Sequence, residues 1–366
     1  MLAKKVLPNF ALLLLGLISG IITVEIALRL ANYNPQISTD WQLLPSRRIL
    51  DTDLIMTHPK FFHPDYYGNS NDNLTVIALG DSFTMGYEMS RDQSYTRVLK
   101  RLLEDSLGSV TVFNAGVGDT GTDQQLRLFK KFFLRNTKPD IVIWQLYRND
   151  IYNNIVYPTY KISNDNRLSP LDARYNWAYQ RMKLYNSIPL PAILKERSYI
   201  VNLLMYFYEA RKHDQVPQDY NTDGLIRYGI DKILLAIEEM ERLSLKHDFT
   251  VYYVLFIPQD EYLITENLDP QISDTICPSK YDFNYGAHAK LQEILSNEKT
   301  FIPLRITSDE LAHETGLPEP TISETIFLAP PKDEAPKGCR HYNEIGYKLI
   351  ATKIASKILS NIYDEQ

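Results

Sequence analysis

Cysteine is almost missing from this chain: 366 residues carry two, Cys277 and Cys339. Two thiols are too few for a Cys-rich metal site, and the seven histidines fall into no H-E-x-x-H or similar ligand spacing. No metal is therefore expected. No G-x-x-x-x-G-K-[ST] or G-x-G-x-x-G follows any candidate strand, which argues against nucleotide or phosphate chemistry, and no cofactor is expected. Basic charge is also in short supply. With 39 Lys and Arg against 45 Asp and Glu, a net charge of −6 and a pI near 5.7, the chain has no stripe to follow a phosphate backbone, so no nucleic-acid partner is expected. Pairs such as Lys130-Lys131 suit a solvated helix face. There are no internal repeats and no low-complexity tract.

What is present begins with "MLAKKVLPNFALLLLGLISGIITVEIALRLA". Lys4 and Lys5 precede an almost unbroken apolar run from Phe10 to Val24, and with Glu25 tolerated near one end the segment reaches Leu30. That is close to the ~20 residues that cross a bilayer. The lysines place the N-terminus in the cytoplasm, and no convincing A-x-A cleavage site follows. Residues 1–31 read as a transmembrane signal anchor, with the body outside the cytoplasm and periplasmic if the source is bacterial. In such a compartment two thiols can pair.

Residues 32–73, rich in Pro, Asn, Asp and Tyr without clear period, read as a stalk and lead-in. A regular pattern follows over 74–366. "LTVIALG" (74–80), "SVTVFNAG" (109–116) and "DIVIWQLY" (140–147) are short apolar runs suited to strands buried on both faces. Between them, 94–107 and 122–136 carry apolar residues at helical spacing. This alternation predicts parallel β-α-β units. It is interrupted at about 151–225 by a Tyr-rich insertion and resumes as helix 229–247 and strand 249–258. A helix near 285–297, a short strand at "TFIPL" and a final amphipathic helix complete the pattern.

In an open parallel sheet, functional residues gather past the carboxyl ends of the strands. Four polar motifs fall there: "GDSFTMG" (80–86), "NAGVGDTGTDQQ" (114–125), "YRND" (147–150) and "CRHYNEIGY" (339–347) before the last helix. Each alone is weak. A Gly-Asp-Ser triplet also suits an ordinary strand-to-helix turn in which Ser82 merely caps. Together and in this order the motifs resemble the SGNH (GDSL-like) hydrolase family. More narrowly, the chain resembles membrane-anchored members whose opening apolar segment ends in Glu and Leu-Arg, here Glu25 and Leu28-Arg29. The motif resemblance covers roughly 74–150 and 338–362, and 226–258 agree in pattern.

The resemblance implies a three-layer α/β/α sandwich with a parallel flavodoxin-like sheet, behind one transmembrane helix. It implies Ser82 as nucleophile and His341 as general base. The oxyanion hole would combine the Ser82 N–H, a second-block N–H and the Asn149 amide. In the second block, relatives often have Gly where Asp119 stands; either N–H can serve, with Gly118 the expected donor. Tyr147 stands where Gly is usual. Relatives also carry Asp two or three residues before the histidine, whereas here Cys339 and Gly338 occupy those places. Three replacements stay open: a backbone carbonyl, Asp333 or Glu334 folding in, or a Cys277–Cys339 disulfide holding the histidine loop. An activated serine with an oxyanion hole performs acyl transfer. An acyl-ester substrate is implied, with an envelope glycan or lipid as its carrier. The alternatives are an O-acyltransferase and a non-catalytic envelope protein with a degenerate triad. Insertion tyrosines (Tyr152, Tyr157, Tyr160, Tyr175, Tyr179, Tyr185) either stack on sugar rings or pack the insertion onto the sheet.

Overall fold

Each of the three apolar runs forms a strand, because a stretch buried on both faces needs apolar side chains at every position. The structure is a computed structural model. It describes residues 3–31, 74–172, 223–259, 286–298, 300–318, 320–328 and 341–364, with short pieces at 50–51, 54, 56–57, 187, 189, 198–201, 203–204 and 261–262. Packing divides the chain into two units, Met1–Leu50 with Arg174–Gln218 and Asp51–Ala173 with Asp219–Gln366.

The larger unit is the α/β body. Strand β1 (Leu74–Gly80) leads into a single-turn helix α2 (Ser82–Met85), and α3 (Tyr95–Leu107) leads to β2 (Val110–Gly116). Helix α4 (Thr122–Leu128) runs on through a π turn (Phe129–Phe133) to a last turn at Leu134–Asn136. Then come β3 (Ile141–Leu146), α5 (Asn149–Val156), an antiparallel hairpin (Tyr160–Ile162 with Leu168–Pro170) and α6 (Asp223–His247). The remaining elements are β4 (Thr250–Leu255), α7 (Gly286–Leu295), β5 (Phe301–Pro303), α8 (Ser308–Thr315), α9 (Ile322–Thr325) and α10 (Glu344–Asp364). The strands form one parallel sheet in the order β2-β1-β3-β4-β5. This is the doubly wound order of a flavodoxin-like sheet, which the resemblance implies, and its parallel strands are those the alternation predicts.

Side-chain alternation divides the core in two. Val76, Ala78, Ile141, Ile143, Tyr252 and Val254 face the layer of α3 and α10. Ile77, Leu79, Val142, Trp144, Val251 and Tyr253 face that of α4 and α6. Successive strand residues point to opposite faces, so both layers are apolar. The register pairs Gly80 with Gly116 and Leu79 with Trp144, which brings the first three motifs to the same sheet edge.

In the smaller unit, α1 (Ala3–Leu30) is 28 residues long. Its described side chains are 12, 13 and 15–30, and large apolar ones are exposed all round it, among them Leu12, Leu13, Leu15, Ile18, Ile22 and Ile26. Among the described residues, no helix is long and apolar enough to cross a membrane. Glu25 accepts hydrogen bonds from Ser198 Oγ (3.0 Å), Tyr199 N (3.1 Å) and Ile200 N (3.0 Å), while Arg29 Nε donates to it at 2.9 Å. A carboxylate on the orphan N–H groups of a helical turn explains an acid so close to an apolar run. Cys277, Cys339, Asp333, Glu334, Tyr175, Tyr179, Tyr185 and most of 32–73 lie outside the described residues.

Candidate active site

Asp81 caps α2, its Oδ1 accepting from Phe83 N at 3.0 Å. Gly86, at φ +75°, ends the helix after one turn. With the cap supplied by the neighbouring acid, the Ser82 hydroxyl is left for other work. The turn sits close upon the sheet. A Cβ on Gly80 would run into Gln145 Oε1 and Thr84 Oγ1, and one on Gly116 would strike the Met85 amide. Gln145 Oε1 accepts from Asp81 N and from Thr84 Oγ1, both at 3.0 Å. Asn114 Nδ2 donates to Thr84 O (2.7 Å) and Thr96 Oγ1 (2.9 Å), while its Oδ1 accepts from Gly116 N (3.0 Å). Two buried amides on the strands that flank β1 thus fix the turn that carries Ser82.

His341 Nε2 lies 2.8 Å from Ser82 Oγ, a hydrogen bond between residues 259 apart in the chain. Its ring packs against Phe83 and Tyr87, with centroids at 4.7 and 5.2 Å. The residues around it explain the spacing of the fourth motif. Leu328 N donates to His341 O (3.0 Å), and Tyr342 stacks on Phe327 while its hydroxyl donates to Ile257 O (2.6 Å). Asn343 Nδ2 donates to Thr325 O (2.7 Å) and Phe327 O (3.2 Å), and its Oδ1 accepts from Gly346 N (3.1 Å). A Cβ on Gly346 would lie 2.6 Å from Ile326 O. His-x-Asn-x-x-Gly is therefore a clasp on the 325–328 segment with the imidazole beside it. On the other side of the ring, Nδ1 is 3.7 Å from Glu88 Oε2.

Asn149 opens α5. Its side chain favours the charged form of Asp81, and its Oδ1 is buried with no partner among the described residues. Gly118 is buried in the turn after β2, next to Asp119, whose φ of +52° is left-handed. Glycine adopts that conformation freely, which accounts for relatives having glycine at this place. Val117 N (3.0 Å) and Thr120 Oγ1 (3.4 Å) donate to Gly80 O, pinning the turn two residues before Ser82. Ser82, His341, Asn149 and Gly118 are thus brought to one edge of the sheet, with Ser82 and His341 in direct contact.

Burial raises the Asp81 carboxyl above the ordinary range, against the pull of Phe83 N–H, Asn149 and His341. Asp150 is pushed well above it by burial and then by the nearby Asp81 carboxylate, although Tyr147 N (2.7 Å) and Gln125 Nε2 (3.2 Å) both donate to it. Gln145 and Glu88 escape a reading of motifs. Gln145 sits in an apolar run that reads only as strand, and Glu88 lies beyond the glycine that closes the first motif. The left-handed φ of Glu88, +65°, has no local sequence signal. Among the described residues there is no group of His, Cys, Asp and Glu arranged to hold a metal.

The model of the GDSL-like Lipase/Acylhydrolase family matches residues 76–354. No curated protein matches the chain. Similar solved structures include a lipolytic G-D-S-L protein from Veillonella parvula DSM 2008, 14% identical, covering 77% of this chain and 97% of its own, with a TM-score of 0.35. A putative G-D-S-L lipolytic protein from Desulfitobacterium hafniense DCB-2 is 15% identical, covering 78% and 99%, at 0.36. The acetyl xylan esterase AlAXEase is 15% identical, covering 78% and 100%, at 0.35.

Proposed function

The chain belongs to the GDSL-like lipase and acylhydrolase family and is an ester hydrolase, and we propose that Ser82 is its nucleophile and His341 the base that activates it. The observation that carries this reading is the 2.8 Å bond from His341 Nε2 to Ser82 Oγ. A serine hydroxyl is a poor nucleophile until a base takes its proton. In the first half-reaction, Ser82 Oγ attacks the ester carbonyl and its proton passes to His341. Collapse of the tetrahedral intermediate expels the alcohol, which receives that proton, and leaves an acyl-serine. Water, deprotonated by His341, then releases the carboxylic acid.

The oxyanion is held by three donors. Ser82 N–H is the first of α2, one that a helix leaves without an internal partner. Asn149, at the start of α5, offers its side-chain amide as the second donor. The third donor is the Gly118 N–H from the turn pinned to Gly80 O. Such donors are worth about 2.7–4 kcal/mol each. The first two triad members in contact speak against the degenerate-triad alternative.

The body acts outside the cytoplasm, tethered by residues 1–31, on acyl groups carried by envelope glycans or lipids. Support comes from Lys4 and Lys5 before the apolar run and from the apolar side chains exposed on every side of α1. Water disfavours such a surface, and lipid accepts it. Treatment of sealed spheroplasts with a membrane-impermeant fluorophosphonate tests both halves. Labelling equal to that of lysed spheroplasts, and lost in Ser82→Ala, is expected. Labelling that survives Ser82→Ala would remove the nucleophile assignment, and labelling confined to lysates would remove the topology.

A further inference from the structure

The geometry points to Glu88 as the positioning carboxylate of this site, taking the part that relatives give to an aspartate just before the histidine. The inference rests on the Ser82–His341 reading. For Nε2 to accept the serine proton, the ring hydrogen must sit on Nδ1, and a group facing Nδ1 fixes that tautomer and balances the imidazolium formed in the reaction. Among the described residues, Glu88 Oε2 is the carboxylate oxygen that faces Nδ1, at 3.7 Å. That separation is an ion-pair contact and longer than a hydrogen bond, so it is made to attract the charged ring while the neutral ring is held mainly by packing. Phe83 and Tyr87 provide that packing.

The backbone shows that the placement is imposed. Glu88 sits at φ +65°, a conformation that costs a side-chain-bearing residue energy and persists where its surroundings over-determine it. The surroundings are the nucleophile's own turn. Tyr87 N donates to Ser82 O (3.0 Å), and Met89 N donates to Gly86 O (3.1 Å). The orienting acid therefore travels with the nucleophile on one short loop, and the histidine enters between them from the other end of the domain. In the usual arrangement the acid travels with the base. This explains how the chain can carry Cys339 and Gly338 before His341 and still present the Ser82–His341 pair.

The test is steady-state hydrolysis of an aryl acetate by the purified full chain in detergent, with Glu88→Gln, Glu88→Asp, Glu88→Gly and Ser82→Ala. Glu88→Gln keeps shape and removes charge. It should lower kcat about 10–100-fold with KM changed less than about threefold, a smaller loss than a buried triad acid because Glu88 is 45% exposed. Glu88→Asp, keeping the charge, should be more active than Glu88→Gln. Glu88→Gly suits the left-handed backbone, so its Tm should hold while its kcat falls as in Glu88→Gln, which decides the matter if the glutamine variant folds poorly. Wild-type kcat in a folded Gln or Gly variant, or Asp no better than Gln, overturns the role while Ser82→Ala, inactive, leaves the nucleophile standing. Turnover by Ser82→Ala overturns both.

Discussion

On the sheet face covered by α3 and α10 the core is dense in rings: Phe83, Tyr95, Tyr147, Phe256, Tyr262, Phe327, Tyr342 and Tyr347 are all buried there. On the face covered by α4 and α6 a charged pair lies inside the protein. Lys232 Nζ is 2.5 Å from Asp123 Oδ2, both side chains are 0% exposed, and Lys232 also donates to Asn154 O at 2.7 Å. Asp123 Oδ2 further accepts from Thr159 N (3.0 Å) and Tyr160 N (3.3 Å). The difference shows two ways of holding a catalytic group. The aromatic face holds His341 by contact area, supplemented by single hydrogen bonds such as that from Tyr342 to Ile257 O. The charged face joins α4, the hairpin, α6 and the far end of α5, and so fixes the short helix that begins with Asn149. Contact area fails gradually when one bond is removed. A buried ion pair fails at once, because the abandoned charge has no solvent.

The largest effect should therefore come from the charged face. Lys232→Met should cost about 3–5 kcal/mol in urea unfolding, and adding Asp123→Leu should recover only part of it, because that change also strips the buried Thr159 and Tyr160 N–H groups of their acceptor. If the single variant lost under about 1 kcal/mol, the contrast between the faces would collapse. On the aromatic face, Tyr342→Phe deletes one hydroxyl and leaves Ile257 O without it, for a cost of about 1–3 kcal/mol. The same measurement checks it, and kcat should fall with KM little changed because the ring neighbours His341. A loss as large as that of Lys232→Met would show that the two faces are not built differently.

The smallest effect is one of pH and concerns His288 on α7, beside Leu291 and Leu295 of the charged face. Burial first, then the charges of Arg148 and Arg305, lower its pKa to about 4 from an ordinary value of 6.5. Below 6.5 the unfolded chain takes up a proton that the folded chain refuses until about pH 4. Stability is thus complete above 6.5 and falls between 6.5 and 4. Buried Asp81 and Asp150, with raised values, contribute in the opposite sense, so the comparison must be with His288→Gln. Its urea midpoint should fall less than wild type from pH 7 to pH 4.5, and an equal fall would remove His288 from the account.

The sequence by itself determined the strands and the order of the motifs. A strand buried on both faces must be apolar throughout, so 74–80 is read to the residue and 109–116 and 140–147 to within one at each end. Helix periodicity marked α3 and α4, although the π turn inside 122–136 has no pattern of its own, because one widened turn leaves the apolar stripe intact. The family resemblance carried by the four motifs in order named Ser82, Asn149, Gly118 and His341, whereas the local turn chemistry of any one motif does not tell a nucleophile from a cap. Only the tertiary structure decided that Asp81, and not Ser82, caps α2, and that His341 meets Ser82 across 259 residues. It likewise joined Lys232 to Asp123, and placed Glu88 against the imidazole. A hydrogen bond or ion pair depends on distances of a few ångströms between groups that the chain does not place together. Only the packing of helices on a closed sheet register sets those distances, and no local pattern encodes them.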